Sequence, residues 1–335
     1  MKYLRPTLIL AIIALPIWVA MNHVPHHQAS SPIETLYLHL MPAKLMTSEA
    51  MGHDEHAGET EEEHAAHADD HGASHGSDDY LLAFTLPGVP AIFDMDKDPV
   101  MEGTQLVATN LQLFQLAAVL LLLVCLQGVP SYLRTGKGDY TSRLFAGFTL
   151  WIRNEVVYPV MGQETGRKFL PLFFFMFFFI LFMNMLGLLP WAATATANVW
   201  VTGALAVITL ASMLICGMVA QGPIAYWKNL VPDAPLALWP LLFLVEVLGV
   251  LIKPLALCIR LFANMTGGHL AVLSIMGLIF VFGEMSSTVG YSVAPIAVGF
   301  TVFVMIIEFF VAMLQAFIFT QLSVIFVQAS VHPDH

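Results

Sequence analysis

Between Phe169 and Trp227 the chain carries no Asp, Glu, Lys or Arg. Roughly 20 apolar residues are enough to cross a bilayer, so this one run is long enough to cross and return. Lipid offers no hydrogen bonds to a backbone, which leaves the helix as the simplest spanning element. Composition agrees, with 58% hydrophobic and only 11% charged residues, against about 25% charged in a soluble domain. An ordinary soluble enzyme is excluded. The fold class expected is an all-α polytopic membrane protein.

Hydropathy divides the chain. Leu8 to Met21 follows Lys2 and Arg5, and its short apolar core fits either a signal peptide or an N-terminal anchor covering residues 1–21. Both place residues 22–104 as a tail on the outer side, with residues 105–335 forming the membrane domain. Gln105 to Leu126 is the first strong span, followed by Arg134, Lys137, Arg143, Arg153, Arg167 and Lys168, six of the thirteen basic residues. The positive-inside rule makes that stretch cytoplasmic. Within it, Thr141 to Tyr158 sets Leu144, Phe145, Phe148, Trp151 and Ile152 against Arg143, Arg153 and Asn154, the pattern of an interfacial amphipathic helix. Phe169–Leu189 and Val199–Ala220 are the next spans, and Lys228 returns the chain to the inner side. Leu236–Phe282 and Ser292–Val331 are far longer than a roughly 20-residue crossing. Each is either a hairpin or one steeply tilted helix, and the absence of a polar turn near the middle favours two long tilted helices. Gly267-Gly268 argues for a break instead. The count is about five membrane helices after the N-terminal segment, with the C-terminus cytoplasmic.

The net charge of −11 resides in the tail. Glu49 to Asp79 holds eleven acids and no Lys or Arg, leaving 13 acidic and 13 basic residues elsewhere. The membrane part is neutral, and nothing points to a nucleic-acid partner. Residues 52–79 interleave His53, His56, His64, His67, His71 and His75 with acids, Gly, Ala and Ser, a composition that cannot build a core. These histidines are weak metal candidates or a proton-collecting antenna, but their spacing matches no structural zinc site, and a solvated disordered spacer is the better account. Cys125, Cys216 and Cys258 lie far apart in apolar runs, as packing residues do.

Ionisable groups inside apolar segments are costly and mark function by default. Here they are Glu246, Lys253, Arg260, His269, Glu284 and Glu308. The first three recur every seventh residue, nearly two helical turns, and so form one stripe that Asn264 extends. Glu246 and Lys253 suit either an interfacial pair or a conduction role. Arg260 is mid-block, and its guanidinium stays charged. It therefore holds a fixed positive potential rather than relaying protons, and a carboxylate partner must come from another helix or chain. His269 and Glu308 occupy separate blocks and form a candidate proton relay. Glu284, beside Ser286 and Ser287, reads as a solvated turn acid.

Lys253-Pro254-Leu255 with Arg260-Leu261-Phe262-Ala263-Asn264-Met265-Thr266-Gly267-Gly268-His269-Leu270 resembles the signature of subunit a of F-type ATP synthases. Glu308 followed by Gln315-Ala316-Phe317-Ile318-Phe319-Thr320 resembles that subunit's last helix, and Phe182-Met183-Asn184-Met185-Leu186-Gly187-Leu188-Leu189-Pro190 the end of its second crossing. The resemblance covers roughly residues 105 to 330. It implies a non-catalytic stator subunit, without a cofactor, that faces a c-ring of rotor carboxylates, contacts b-type peripheral stalk subunits and resides in the cell inner membrane. It further implies two offset half-channels separated by Arg260, with Asn264, His269, Glu308 and Gln315 along the outer one and Glu246 near the inner one. Many bacterial members carry an acid where His269 stands, so the arrangement here suggests that His269 and Glu308 share one site. The competing reading is a cation or metal transporter with a His-rich collecting tail. Its weakness is the single His within the membrane blocks.

Overall fold

A computed structural model describes residues 4–23, 83–86, 104–107, 109–189, 192, 194–231 and 238–332. The acidic His-rich stretch 52–79, with its six histidines, lies outside the described residues. Six helices among the described residues are long and apolar enough to cross a membrane, matching one N-terminal segment and five crossings. The class is all-α, with one small addition. Strands β1 (Ala83–Leu86) and β2 (Thr104–Val107) pair antiparallel, Ala83 opposite Val107 and Leu86 opposite Thr104. The first strong crossing, α2, therefore runs from Asn110 to Leu126, not from Gln105. Its start is fixed by the side chain of Gln112, whose Oε1 accepts the Thr109 N–H at 3.2 Å.

Helix α1 (Leu4–His23) is longer than the apolar core of the sequence suggests. It packs Ala20 among Leu111, Phe114, Ala117 and Ala118 of α2. At its other end, Arg5 Nη1 donates to Ser142 Oγ at 2.8 Å and lies 3.4 Å from Asp139 Oδ2. That end sits beside the basic stretch.

After α3 (Val129–Thr135), α4 (Tyr140–Trp151) continues through a π-helical turn (Ile152–Val157) into α5 (Tyr158–Gly187). A helix stands where an interfacial one is expected, and most of its predicted apolar face turns inward: Ile152 is fully buried, and Phe145 and Phe148 pack against the main core cluster. Within α4 the buried residues are Ser142, Ala146 and Thr149, while Leu144 and Trp151 are exposed. In lipid there is no hydrophobic drive between helices, so close contact goes to small residues and large apolar ones are free to face tails. Gly162, at φ 72° and ψ 170°, separates this segment from the crossing part of α5. Only glycine adopts that backbone without strain. Gly162→Ala is expected to cost about 1–3 kcal/mol, measured as a lower dissociation temperature of the assembled protein. Gly147→Ala, at an exposed site with nothing within 4 Å of a new methyl, should leave it unchanged.

A Thr/Ala-rich link holding a short 3-10 turn (Ala195–Ala197) leads to α6 (Val199–Gln221), whose N-cap Asn198 accepts the Trp200 N–H. Then come α7 (Pro223–Asn229), α8 (Trp239–Met285) and α9 (Ser287–Val331). The last two are single continuous helices, and α8 runs unbroken through Pro254 and Gly267-Gly268. At 1.5 Å per residue each is about 70 Å long, more than twice the roughly 30 Å hydrocarbon core, so both lie steeply tilted. They pack as an antiparallel pair whose register appears in three contacts. Lys253 Nζ stands 5.9 Å from the ring centre of Phe326, Asn264 meets Gln315, and Gly283 meets Gly290. The largest core cluster joins α5, α6, α8 and α9 around Phe173, Phe178, Leu257, Leu261 and Phe319, all fully buried.

Candidate functional site

The antiparallel register of α8 and α9 sorts the expected site residues into two polar pairs and an isolated cation. Asn264 Nδ2 donates to Gln315 Oε1 at 2.7 Å. Five residues further along α8, His269 Nε2 stands 4.0 Å from Glu308 Oε1. That separation is too long for a hydrogen bond but spans facing side chains with no intervening residue. The imidazole is 14% exposed and the carboxyl 6%, so an ionisable pair is enclosed between two apolar helices. Glu308 Oε1 has no hydrogen-bond partner among the described residues. His269 and Glu308, which the sequence suggests share one site, thus face each other across the α8–α9 seam.

Gly268 explains how the carboxyl fits there. A Cβ at Gly268 would lie 2.6 Å from Glu308 Cδ, closer than real side chains approach. The glycine pair that reads as a helix break is instead a notch in a continuous helix. In a bilayer the backbone gains nothing by leaving its helical hydrogen bonds, so glycine can serve packing without ending the helix.

Sequence patterning did not single out Thr194. Its Oγ1 lies 2.7 Å from His269 Nε2 and donates to the Gly187 carbonyl at 3.2 Å. It is 5% exposed. The link between α5 and α6 has no periodicity to flag it, and the only sequence hint is its position just beyond the Gly187-Leu188-Leu189-Pro190 motif. Asn184, in the same motif, is fully buried and donates through Nδ2 to the Ala312 carbonyl at 3.2 Å. It ties α5 to α9 one turn before Gln315.

Arg260 lies apart from these pairs. Val250, Pro254, Leu257, Cys258, Leu261 and Met265 form the buried face of α8, and Arg260 projects at its flank, exposed. It makes no hydrogen bond or ion pair with any described residue. Beside it Leu255 and Ile259 are each 54% exposed. Further along the helix pair, level with His269 rather than Arg260, Ile306, Ile307, Phe309 and Phe310 of α9 are also exposed. Glu246 is half-buried and about 21 Å from Arg260 along the helix. The structure does not gather it with the others.

Comparison with known proteins places the chain. A family model described as ATP synthase A chain matches residues 112–328. ATP synthase subunit a of Myxococcus xanthus is 42% identical over 191 residues, covering 56% of this chain and 61% of that protein. The subunit a of Chloroherpeton thalassium is 37% identical over 224 residues, 66% of this chain and 65% of that protein. That of Pelodictyon phaeoclathratiforme is 36% identical over 247 residues, covering 72% and 71%. The matched region spans between 46% and 65% of the length of six such relatives. The family match begins just inside α2 and ends just before the end of α9, taking in both polar pairs and Arg260, and the chain belongs to the ATP synthase A chain family.

Proposed function

We propose that the chain is the non-catalytic stator channel of a rotary F-type ATP synthase, conducting protons to and from the carboxylates of a c-ring through two offset half-channels. The observation that carries this reading is Arg260, an exposed guanidinium with no hydrogen bond or ion pair to any described residue, flanked by the bare Leu255 and Ile259. A permanent charge in such a setting calls for a carboxylate from outside the chain, and the bare Leu255 and Ile259 beside it offer a surface for a partner of similar polarity. The outer half-channel contains Asn264, Gln315, His269 and Glu308, and the inner one passes near Glu246. A proton delivered through His269 and Glu308 neutralises a rotor carboxylate, which then faces lipid at lower cost. After the circuit it ionises at the inner channel and is held opposite Arg260, whose charge repels protons and keeps the two channels from short-circuiting. The drive is about 2.3 kcal/mol per charge per 100 mV.

On this reading the protein sits in the cell inner membrane with residues 22–104 outside and the C-terminus in the cytoplasm, and b-type stalk subunits hold it against rotation. The metal-transporter alternative finds no favouring observation among the described residues. The test is ATP-driven acidification of inverted vesicles, with the assembled complex quantified. Arg260→Ala is expected to remove acidification while the complex persists. Undiminished pumping would refute the reading.

A further inference from the structure

We propose that Thr194 is a positioning residue of the proton path, an amphoteric hydroxyl that holds the His269 ring through both of its charge states. The inference rests on the stator-channel reading above and adds a residue from a different part of the fold. A threonine hydroxyl has one proton to donate and lone pairs to accept with. With that proton given to the Gly187 carbonyl at 3.2 Å, the 2.7 Å contact to His269 Nε2 is satisfied only if Nε2–H donates to Thr194 Oγ1. In that arrangement the proton sits on Nε2, which is 4.0 Å from Glu308 Oε1.

Once the Glu308 carboxylate has moved in from its 4.0 Å separation to share the Nε2–H with Thr194, the imidazolium can lose that proton to it: the N–H bond breaks, an O–H bond forms, and a neutral imidazole with a lone pair on Nε2 remains opposite a carboxylic acid. At that moment the Thr194 hydroxyl turns from Gly187 and donates to the bare nitrogen. The ring keeps a partner before and after transfer and has no cause to swing away. A group that only donates, or only accepts, satisfies one of the two states.

The link is built to hold the hydroxyl there. Thr194 is 5% exposed, and a Cβ at Gly187 would lie 2.9 Å from its Cγ2 and 3.3 Å from its Oγ1. The end of α5 thus comes against this side chain because residue 187 has no side chain of its own.

The experiment compares Thr194→Val, Thr194→Ser and Arg260→Ala in the whole complex, in inverted vesicles. Two rates are read per assembled complex: ATP-driven acidification, and passive proton conduction after the catalytic sector is stripped off. Valine keeps the shape and removes the hydroxyl, and both rates should fall about tenfold, the change expected for one hydrogen bond to a charged group. Serine keeps the hydroxyl and should stay within about twofold. If valine prevents assembly, Thr194→Ala takes its place with the same expectation. Valine conducting as wild type while Arg260→Ala is inactive would overturn the role of Thr194 and leave the channel reading standing. Equal impairment in serine and valine would also overturn it, since the hydroxyl would then be irrelevant. Full activity in Arg260→Ala would remove the reading on which the inference rests.

Discussion

Arg260→Lys is expected to abolish ATP-driven acidification as fully as Arg260→Ala, although it conserves the charge. The guanidinium stays protonated in any protein setting, whereas a lysine ammonium shifts its pKa readily once desolvated. Residue 260 lies on an exposed apolar face, and on the proposed function that face is covered by the rotor. A lysine there would sit in a low-dielectric seam beside a carboxylate with which it can exchange a proton. The barrier between half-channels would become a relay, and protons would pass without turning the ring. Geometry adds to the loss, because arginine presents a planar fork that engages two carboxylate oxygens while lysine offers a point charge. A unit charge pair at 4 Å is worth about 4 kcal/mol at an effective dielectric of about 20, close to three orders of magnitude in rate. Acidification should therefore drop to background with complex abundance unchanged. A lysine variant that sustained a gradient near the wild-type size would show that charge alone, and not its permanence, is what position 260 supplies.

The comparison of sequence with structure separates what hydropathy encodes from what packing decides. The charge-free run after Lys168, the two overlong apolar blocks and the basic stretch around Arg134 to Lys168 are one-dimensional signals, and the helices follow them. The seven-residue stripe through Glu246, Lys253 and Arg260 is equally legible, since helix geometry alone sets it. Pairing is a different matter. That Asn264 meets Gln315 and His269 meets Glu308 depends on the register between α8 and α9, which a single chain does not state; the family resemblance supplies only the suggestion of a shared site. The ribbon between Ala83–Leu86 and Thr104–Val107 was hidden for the same reason, its two strands lying far apart in sequence. On α4 the large side chains Phe145 and Phe148 turn to the core as their spacing predicts, but the buried positions are the small residues Ser142, Ala146 and Thr149. Leu144 and Trp151 are exposed, because in lipid it is the small residues that mark a helix contact. Thr194 falls in a stretch without periodicity, so only coordinates reveal that it touches His269.

Gly268→Ala should uncouple the protein without unfolding it. A methyl group at this position would lie 2.6 Å from Cδ and 3.1 Å from Cγ of Glu308, so the glutamate must give way. It can do so cheaply in steric terms, because a carboxyl is the far end of a flexible side chain, and alanine favours the helix by about 1 kcal/mol over glycine. Stability and assembly should therefore be close to normal. The displaced carboxyl, however, has only the space between α8 and α9 to move in, being 6% exposed, and each rotamer that clears the methyl alters its 4.0 Å separation from His269 Nε2. A proton relay depends steeply on such distances, and a misplacement of about 1 Å costs on the order of a hundredfold. Acidification should fall by about that factor. The neighbouring Gly267→Ala is the control, since nothing lies within 4 Å of a methyl there, and it should pump as wild type. The decisive variant is Gly268→Ala combined with Glu308→Asp, which withdraws the carboxyl by one methylene. If the two changes clash only through space at this notch, the double variant pumps faster than Gly268→Ala alone. Impairment that Glu308→Asp fails to relieve, or that Gly267→Ala shares, would instead place the effect in the helix backbone and remove Gly268 from the site.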